Sequence, residues 1–350
     1  MDISSREQKI IDILLGHDSL QSSDIHEMLV ARAEDVSLVT VKRALSDMAA
    51  RGILRASGLG RSSSYEISVL GRIFSNIDAQ AYCAIEPDHR YGQKRYNHDL
   101  FKGIPDTIFS LEELKRLEDA TAEYTRRTTD LPPAIQKKEL ERLVIELSWK
   151  SSKIEGNTYT LLDTEKLILE NKKAPGHTSD EAHMILNHKD AFNFVRENAS
   201  SFKTLSRAHI EELHAILVKD LNVGAGLRKR VVGITGSLYQ PLDNQHQVRE
   251  GLEALIEAVA RMQTPYTKAL LALLGISYLQ PFEDGNKRTA RLLANAILLA
   301  YACAPLSYRS VEESEYREAT LVFYEINSIV PFKKIFIDQY DFAARNYAVK

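Results

Sequence analysis

The chain has 350 residues, a length that predicts about two domains. With 44% hydrophobic and 27% charged residues, 16 Gly and 10 Pro, it excludes collagen-like, mucin-like and mainly disordered classes. A formal net charge of -3 argues against a uniformly basic nucleic-acid coat, while leaving room for a local basic patch. The two cysteines, Cys83 and Cys303, stand far apart, so neither a disulfide framework nor a structural zinc site is expected. A reducing cytoplasm fits that usage. The polar start MDISSREQKI lacks the apolar stretch of a signal peptide, and Leu292 to Pro305 is too short to span a bilayer, so no membrane partner is expected.

Residues 1–70 read as one small domain. Ile10, Ile11, Ile13 and Leu14 give Gln8 to Leu15 a helical apolar face. Ser22 or Ser23 can cap a second helix over Asp24 to Val30. Ser37 can cap a third, through Val41, Leu45 and Met48 to a stop at Arg51-Gly52. Ile53-Leu54 and Tyr65-Glu66-Ile67, separated by the Gly/Ser-rich tip Ser57 to Ser64, read as a hairpin. This order of three helices and a hairpin resembles a winged helix-turn-helix domain. The domain holds 8 basic and 10 acidic residues, yet Lys42, Arg43, Arg51, Arg55 and Arg61 cluster against Asp47 alone. Those five are the expected DNA contacts on the third helix and wing. The same stripe also reads as a solvated face of a domain that binds only protein.

Residues 71–110, with scattered aromatics and turn residues, predict an ordered connector. From Leu111 to the end the chain reads as an all-α domain over 111–350, with helices at 111–127, 135–155, 161–171, 179–197, 206–219, 246–262, 265–279, 287–302, 311–326 and 332–346. The one expected strand pair lies at Val231 to Ile234 and Ser237 to Tyr239, turning at Gly236. The fold class is therefore mainly α, with an N-terminal winged helix and a small β-hairpin in the second domain.

The segment Gln280-Pro281-Phe282-Glu283-Asp284-Gly285-Asn286-Lys287-Arg288-Thr289-Ala290-Arg291 lies between two apolar helices. Gly285 lets backbone approach a ligand closely. The N–H groups and positive dipole end of the following helix make an anion site, and Arg288 and Arg291 share one face near it. Asp284 is placed to hold a magnesium ion that bridges phosphates. An ordinary capped helix start with surface arginines accounts for the same residues equally well.

Pro281, Phe282, Asp284, Gly285, Asn286, Arg288 and Arg291 match the signature loop of Fic-domain proteins, which the segment resembles. The resemblance covers roughly residues 100–347. It implies transfer of AMP from ATP to a protein hydroxyl, with ATP and Mg2+ as cofactors and a target protein as partner. Asp284 would bind the metal. Gly285, Asn286, Lys287, Arg288 and Arg291 would form the nucleotide site, and Phe282 would anchor the loop. The sequence departs from the family at Gln280, where the family carries the histidine that acts as general base. An amide cannot accept that proton, and loss of such a base typically costs ~10²–10⁴-fold in rate. Lys287 stands where many adenylyltransferases have glycine and resembles the Doc relatives, which transfer phosphate.

Upstream, Ser151, Glu155 and Gly156 resemble the family's autoinhibitory motif at the end of helix 135–155. Carried over, Glu155 would pair with Arg291 and block the γ-phosphate position. Ile234, Thr235 and Gly236 resemble the tip of the family's flap, which adds a strand to the target chain. Arg228, Lys229 and Arg230 precede it, either meeting acidic target segments or solvated. His183, His188 and His214 read as core or interface residues, and His246 as the one histidine near a target. Three functions stay open: a Fic-type transferase restrained by Glu155, a nucleotide-sensing DNA-binding regulator without chemistry, and a module that binds only protein. A homodimer is compatible with each.

Overall fold

The computed structural model describes residues 3–58 and 63–349. The chain divides into two compact units. One comprises Met1–Pro105, Ile234–Tyr239 and Glu318–Phe332; the other comprises Asp106–Gly233, Gln240–Arg317 and Lys333–Lys350. Among the described residues no helix is long and apolar enough to cross a membrane.

In the first unit, α1 (Ser5–Leu14) starts at a capping box in which Ser4 and Glu7 satisfy each other's backbone N–H. A short strand β1 (Leu20–Gln21) leads into α2 (Ser22–Ala31), and Ser37 caps α3 (Leu38–Ala50) as its position predicts. Strands β2 (Leu54–Ser57) and β3 (Ser64–Ile67) pair antiparallel with Leu54 opposite Ile67 and Ser57 opposite Ser64. β1 adds to the far edge of β3, giving the order β1-β3-β2. Two residues of strand carry no periodicity, which is why β1 has no sequence signal. Ile10, Leu14, Ile25, Val41, Leu45, Met48 and Ile53 are buried in one core under this sheet. The stretch read as a connector folds into α4 (Val69–Phe74), α5 (Ala79–Ala84), a 3-10 turn at Pro87–His89 and α6 (Leu100–Gly103).

The second unit is helical: α7 (Leu111–Thr128), α8 (Pro133–Ile154), α9 (Leu161–Glu170), α10 (Ser179–Glu197), α11 (Arg207–Leu217), α12 (Gln245–Arg261), α13 (Pro265–Leu279) and α14 (Asn286–Ala300). α15 (Glu313–Ile326) and α16 (Val330–Asn346) follow, each with residues in both units. α13 is apolar all round and buried from Tyr266 to Leu279 except at Lys268, the pattern of a central core helix. It packs against α12 and α14.

The expected hairpin at 231–239 differs in the structure, since residues 231–239 form no strand. What survives is a turn, with Ser237 N–H donating to Ile234 O at 3.2 Å and Gly236 at φ +79. Its polar groups are satisfied by side chains of its own unit rather than by a ladder. Arg90 Nη1 donates to Gly236 O, and Ser237 Oγ donates to Glu325.

Gly275 of α13 faces Leu255 of α12 at close range. A Cβ there would stand 2.3 Å from Leu255 Cδ1 and 3.1 Å from Leu255 Cγ. The whole buried leucine would have to move. Gly275→Val should therefore destabilise the chain by ~2 kcal/mol through overpacking, read as a fall in the urea midpoint.

Candidate functional site

The signature segment joins α13 to α14. α13 ends at Gln280, which adopts the left-handed conformation at φ 49 and ψ 59. Its side chain turns back, with Nε2 donating to Ser277 O at 2.6 Å. Gln280 thus closes its own helix. Two residues on, Phe282 is completely buried. Asn286 pinches the loop shut, its Oδ1 accepting from Phe282 N–H and its Nδ2 donating to Phe282 O, both at 2.9 Å. Both ends of that amide are engaged in holding the loop, while the Asn286 backbone N–H stands at the helix start. Gly285 is the N-cap of α14 at φ +76, and a Cβ there would meet Val218 Cγ1 at 3.1 Å. Conformation and space both require glycine at this point.

Two buried arginines stand behind that helix start. Arg288 donates from Nη2 to Asp284 at 3.1 Å, while the Asp284 carboxylate itself is largely exposed. Arg291 has no exposed surface. Its Nε donates to Ser151 Oγ at 2.8 Å, and its Nη2 donates to Ser151 O and to Glu155 Oε1, both at 2.9 Å. Among the described residues Arg288 Nε and Arg291 Nη1 are buried without a hydrogen-bond partner, and the Arg291 guanidinium also lies 5.6 Å from the centroid of the Tyr316 ring. Buried, unpaired guanidinium N–H groups beside a free helix N-terminus fit an anion with several oxygens.

Glu155 comes from the other side. It is the C-cap of α8, followed by Gly156 at φ +93. Gly156 N–H donates to Lys153 O and Asn157 N–H to Ser152 O, the paired bonds of a Schellman ending. Burial raises the Glu155 pKa, but Arg291, then Lys287 and Arg288, outweigh it and hold the carboxyl below its ordinary value. The structure therefore brings together Ser151, Glu155, Lys287, Arg288 and Arg291. Asp284 lies at the exposed rim. Among the described residues no cluster of three or more His, Cys, Asp or Glu forms a metal cage. A single exposed carboxylate fits a magnesium ion that takes its other ligands from phosphate and water.

His214 on α11 was read as a core residue, and it has a more particular place. Its ring stacks on Phe282 at 3.7 Å with 5° between planes, and its Nε2 donates to Asp284 O at 2.9 Å. His188 on α10 is fully buried, and burial, then Arg291 and Arg288, keep it far below the ordinary histidine range. His246 is exposed, 3.5 Å from Glu250. Arg228, expected to meet a target or solvent ahead of the turn, is instead buried and bonded to the loop backbone. A lone arginine in a basic run gives no sequence signal for that.

In the first unit, Lys42 and Arg43 are exposed on α3 and Arg55 on β2. Arg51 is drawn into ion pairs with Glu7 and Asp47. Arg61 lies outside the described residues. Ile234, Thr235 and Gly236 form the turn described above and belong to the first unit.

The His214 environment makes stability pH-dependent. Burial first, and Arg288 further, push its pKa down to about 4, against the raising effect of the Asp284 bond. Unfolded, the group titrates near 6.5. Between those values the unfolded chain binds more protons, so stability is full above pH 6.5 and falls as pH drops toward 4. This one group contributes roughly 3 kcal/mol to that fall. His214→Phe should flatten the dependence of melting temperature on pH across that window. Part of the slope should remain, because His188 shifts in the same direction.

Comparison with known proteins bears on the same residues. Residues 204–298 match the model of the Fic/DOC family. A protein named protein adenylyltransferase Fic from Nematostella vectensis is 28% identical over 174 residues, covering 49% of this chain and 41% of that protein. Another of that name from Aedes aegypti is 25% identical over 232 residues, covering 64% and 46%. The chain thus spans under half the length of these curated relatives. Among solved structures, Fic-1 from C. elegans superposes with a TM-score of 0.57 at 20% identity, over 67% of this chain and 70% of that one. A Fic domain containing signaling protein from Bacteroides thetaiotaomicron gives 0.53 at 21% identity, over 65% and 94%. These structures share the fold. The segment that matches the Fic/DOC family model contains His214, Arg228, the loop and both of its buried arginines.

Proposed function

We propose that the chain is a nucleotide-binding Fic protein held in a closed state by Glu155, with protein adenylylation as its chemistry. The observation that carries this reading is the ion pair of half-buried Glu155 with buried Arg291, set beside buried guanidinium nitrogens that lack a hydrogen-bond partner among the described residues. A nucleotide phosphate is the chemical class those groups fit. Arg288 and the α14 N-terminus would bind the inner phosphates, and Arg291 would take the outermost one once Glu155 leaves. Asp284 would hold the magnesium ion, which when bound neutralises phosphate charge.

Gln280 limits the rate. Its amide is tied to Ser277 O, and an amide has no proton affinity to serve as a base. The target hydroxyl must then lose its proton to solvent. Lys287 adds a cation close to Glu155 and leaves the choice between attack at the α- and the γ-phosphate to experiment.

A second reading rests on a different observation. Lys42 and Arg43 are exposed on α3, clear of the ion pairs that absorb Arg51. Such a face suits a DNA major groove and its phosphates. On this reading 1–70 is a winged helix, the Fic domain senses nucleotide without chemistry, and the chain is a transcriptional regulator.

Label transfer to protein from α-labelled and γ-labelled ATP separates these. With Glu155→Gly the α label should appear on protein, and Gln280→His in that background should raise the rate by ~10²–10⁴-fold. Transfer of the γ label alone would replace adenylylation by phosphorylation. No transfer from either, together with Mg-ATP-dependent DNA retention that Arg43→Ala abolishes, would establish the regulator. No transfer and no Mg-ATP shift in melting temperature would remove the nucleotide reading altogether.

A further inference from the structure

Gln280 is a non-glycine residue in the left-handed region, at the point where the chain leaves a buried helix and turns into the loop. Such a conformation persists only where surrounding contacts impose it. The carbonyls of Gln280 and Pro281 also leave the helix ladder here, and buried carbonyls need donors.

Both donors come from Arg228. Its Nε donates to Gln280 O at 2.6 Å, and its own backbone N–H donates to Pro281 O at 2.9 Å. The same guanidinium donates from Nη1 to Arg230 O at 2.9 Å and from Nη2 to Leu242 O. The side chain is 2% exposed. One planar fork thus ties the loop's turning peptide to the backbone at Arg230 and Leu242. His214 holds the loop further along, at Asp284 O.

We propose that Arg228 is a positioning residue of the nucleotide site. It holds the Gln280-Pro281 peptide in its left-handed turn and so presets the loop and the α14 N-terminus for phosphate. The inference rests on the nucleotide-binding reading and adds to it a residue that reaches the site only through the loop backbone. A lysine keeps the charge but cannot span three carbonyls in a fork.

The test uses the full chain carrying Glu155→Gly, with two readouts: Mg-ATP affinity by calorimetry, and hydrogen exchange of amides 277–287 without nucleotide. Arg228→Gln should weaken Mg-ATP binding about tenfold or more, because buried carbonyls lose their donor. It should also speed exchange across the loop. Arg228→Lys should weaken binding nearly as much. Adding Gln280→Gly to either variant should return most of the loss, since glycine takes the left-handed turn without steric cost.

Parent-like binding and exchange in Arg228→Gln would overturn the proposal. So would full rescue by Arg228→Lys, which would make charge the cause, or a loss that Gln280→Gly leaves untouched. If Arg228→Gln does not fold, Arg228→Lys carries the same comparison. A Glu155→Gly parent that fails to bind Mg-ATP overturns the nucleotide reading instead, and the exchange measurement still decides whether Arg228 holds the loop.

Discussion

Arg291 is a cation with no surface in water, and much of the second unit is arranged around that fact. Removing a charge from water costs several kcal/mol even after relaxation, and only close, well-aligned partners offset it. Ser151 supplies two acceptors and Glu155 the opposite charge. The carboxylate is the exchangeable part. On the proposed reading, an incoming anion that takes the Nη2 N–H competes with Glu155 for it. On that reading autoinhibition follows from this competition and needs no separate lid.

The loop meets the same demand by a different device. A polar segment between two buried helices must satisfy its backbone without a sheet or a helix. Asn286 bridges both polar groups of Phe282, His214 takes Asp284 O, and Arg228 takes Gln280 O and Pro281 O. The Phe282 ring, stacked on His214, fixes the loop's depth. With its interior bonds satisfied, the loop keeps its remaining N–H groups at the start of α14 oriented outward, where an anion can use them.

Much of this was legible in the sequence, and the residues show why. The predicted helix at 265–279 and the cap at Ser37 follow from apolar spacing and local side-chain bonds, which need no tertiary context. The loop and the Ser151–Gly156 motif stood out through their resemblance to Fic-family motifs, because helix spacing alone left an ordinary capped helix end open as well. Arg228 and His214 were not, since their partners lie 52 and 70 residues away and are main-chain carbonyls without sequence identity. The hairpin expectation at 231–239 failed for a related reason. Alternating apolar residues there promised a ladder, but Arg90 and Glu325, distant in sequence, satisfy the turn instead.

The end of α8 shows how firmly Glu155 is held in position. A helix C-terminus normally frays, and a carboxylate on a fraying turn would make a weak plug. Here the last turn is fastened. Lys150 pairs with Glu313 at 2.5 Å, Lys153 with the same carboxylate at 3.7 Å, and Arg317 donates to Ile154 O at 3.0 Å. Lys150 and Glu313 are both well shielded, so their pairing outweighs that of an exposed surface bridge. Glu155 is thus presented by a turn whose carbonyls and charges are satisfied from the first turn of α15. Loss of Glu155 from Arg291 by local fraying would break all three contacts at once, whereas rotation of the glutamate side chain breaks none of them. On the proposed reading the gate opens by side-chain exchange against an anion, and the backbone of α8 stays where α15 holds it.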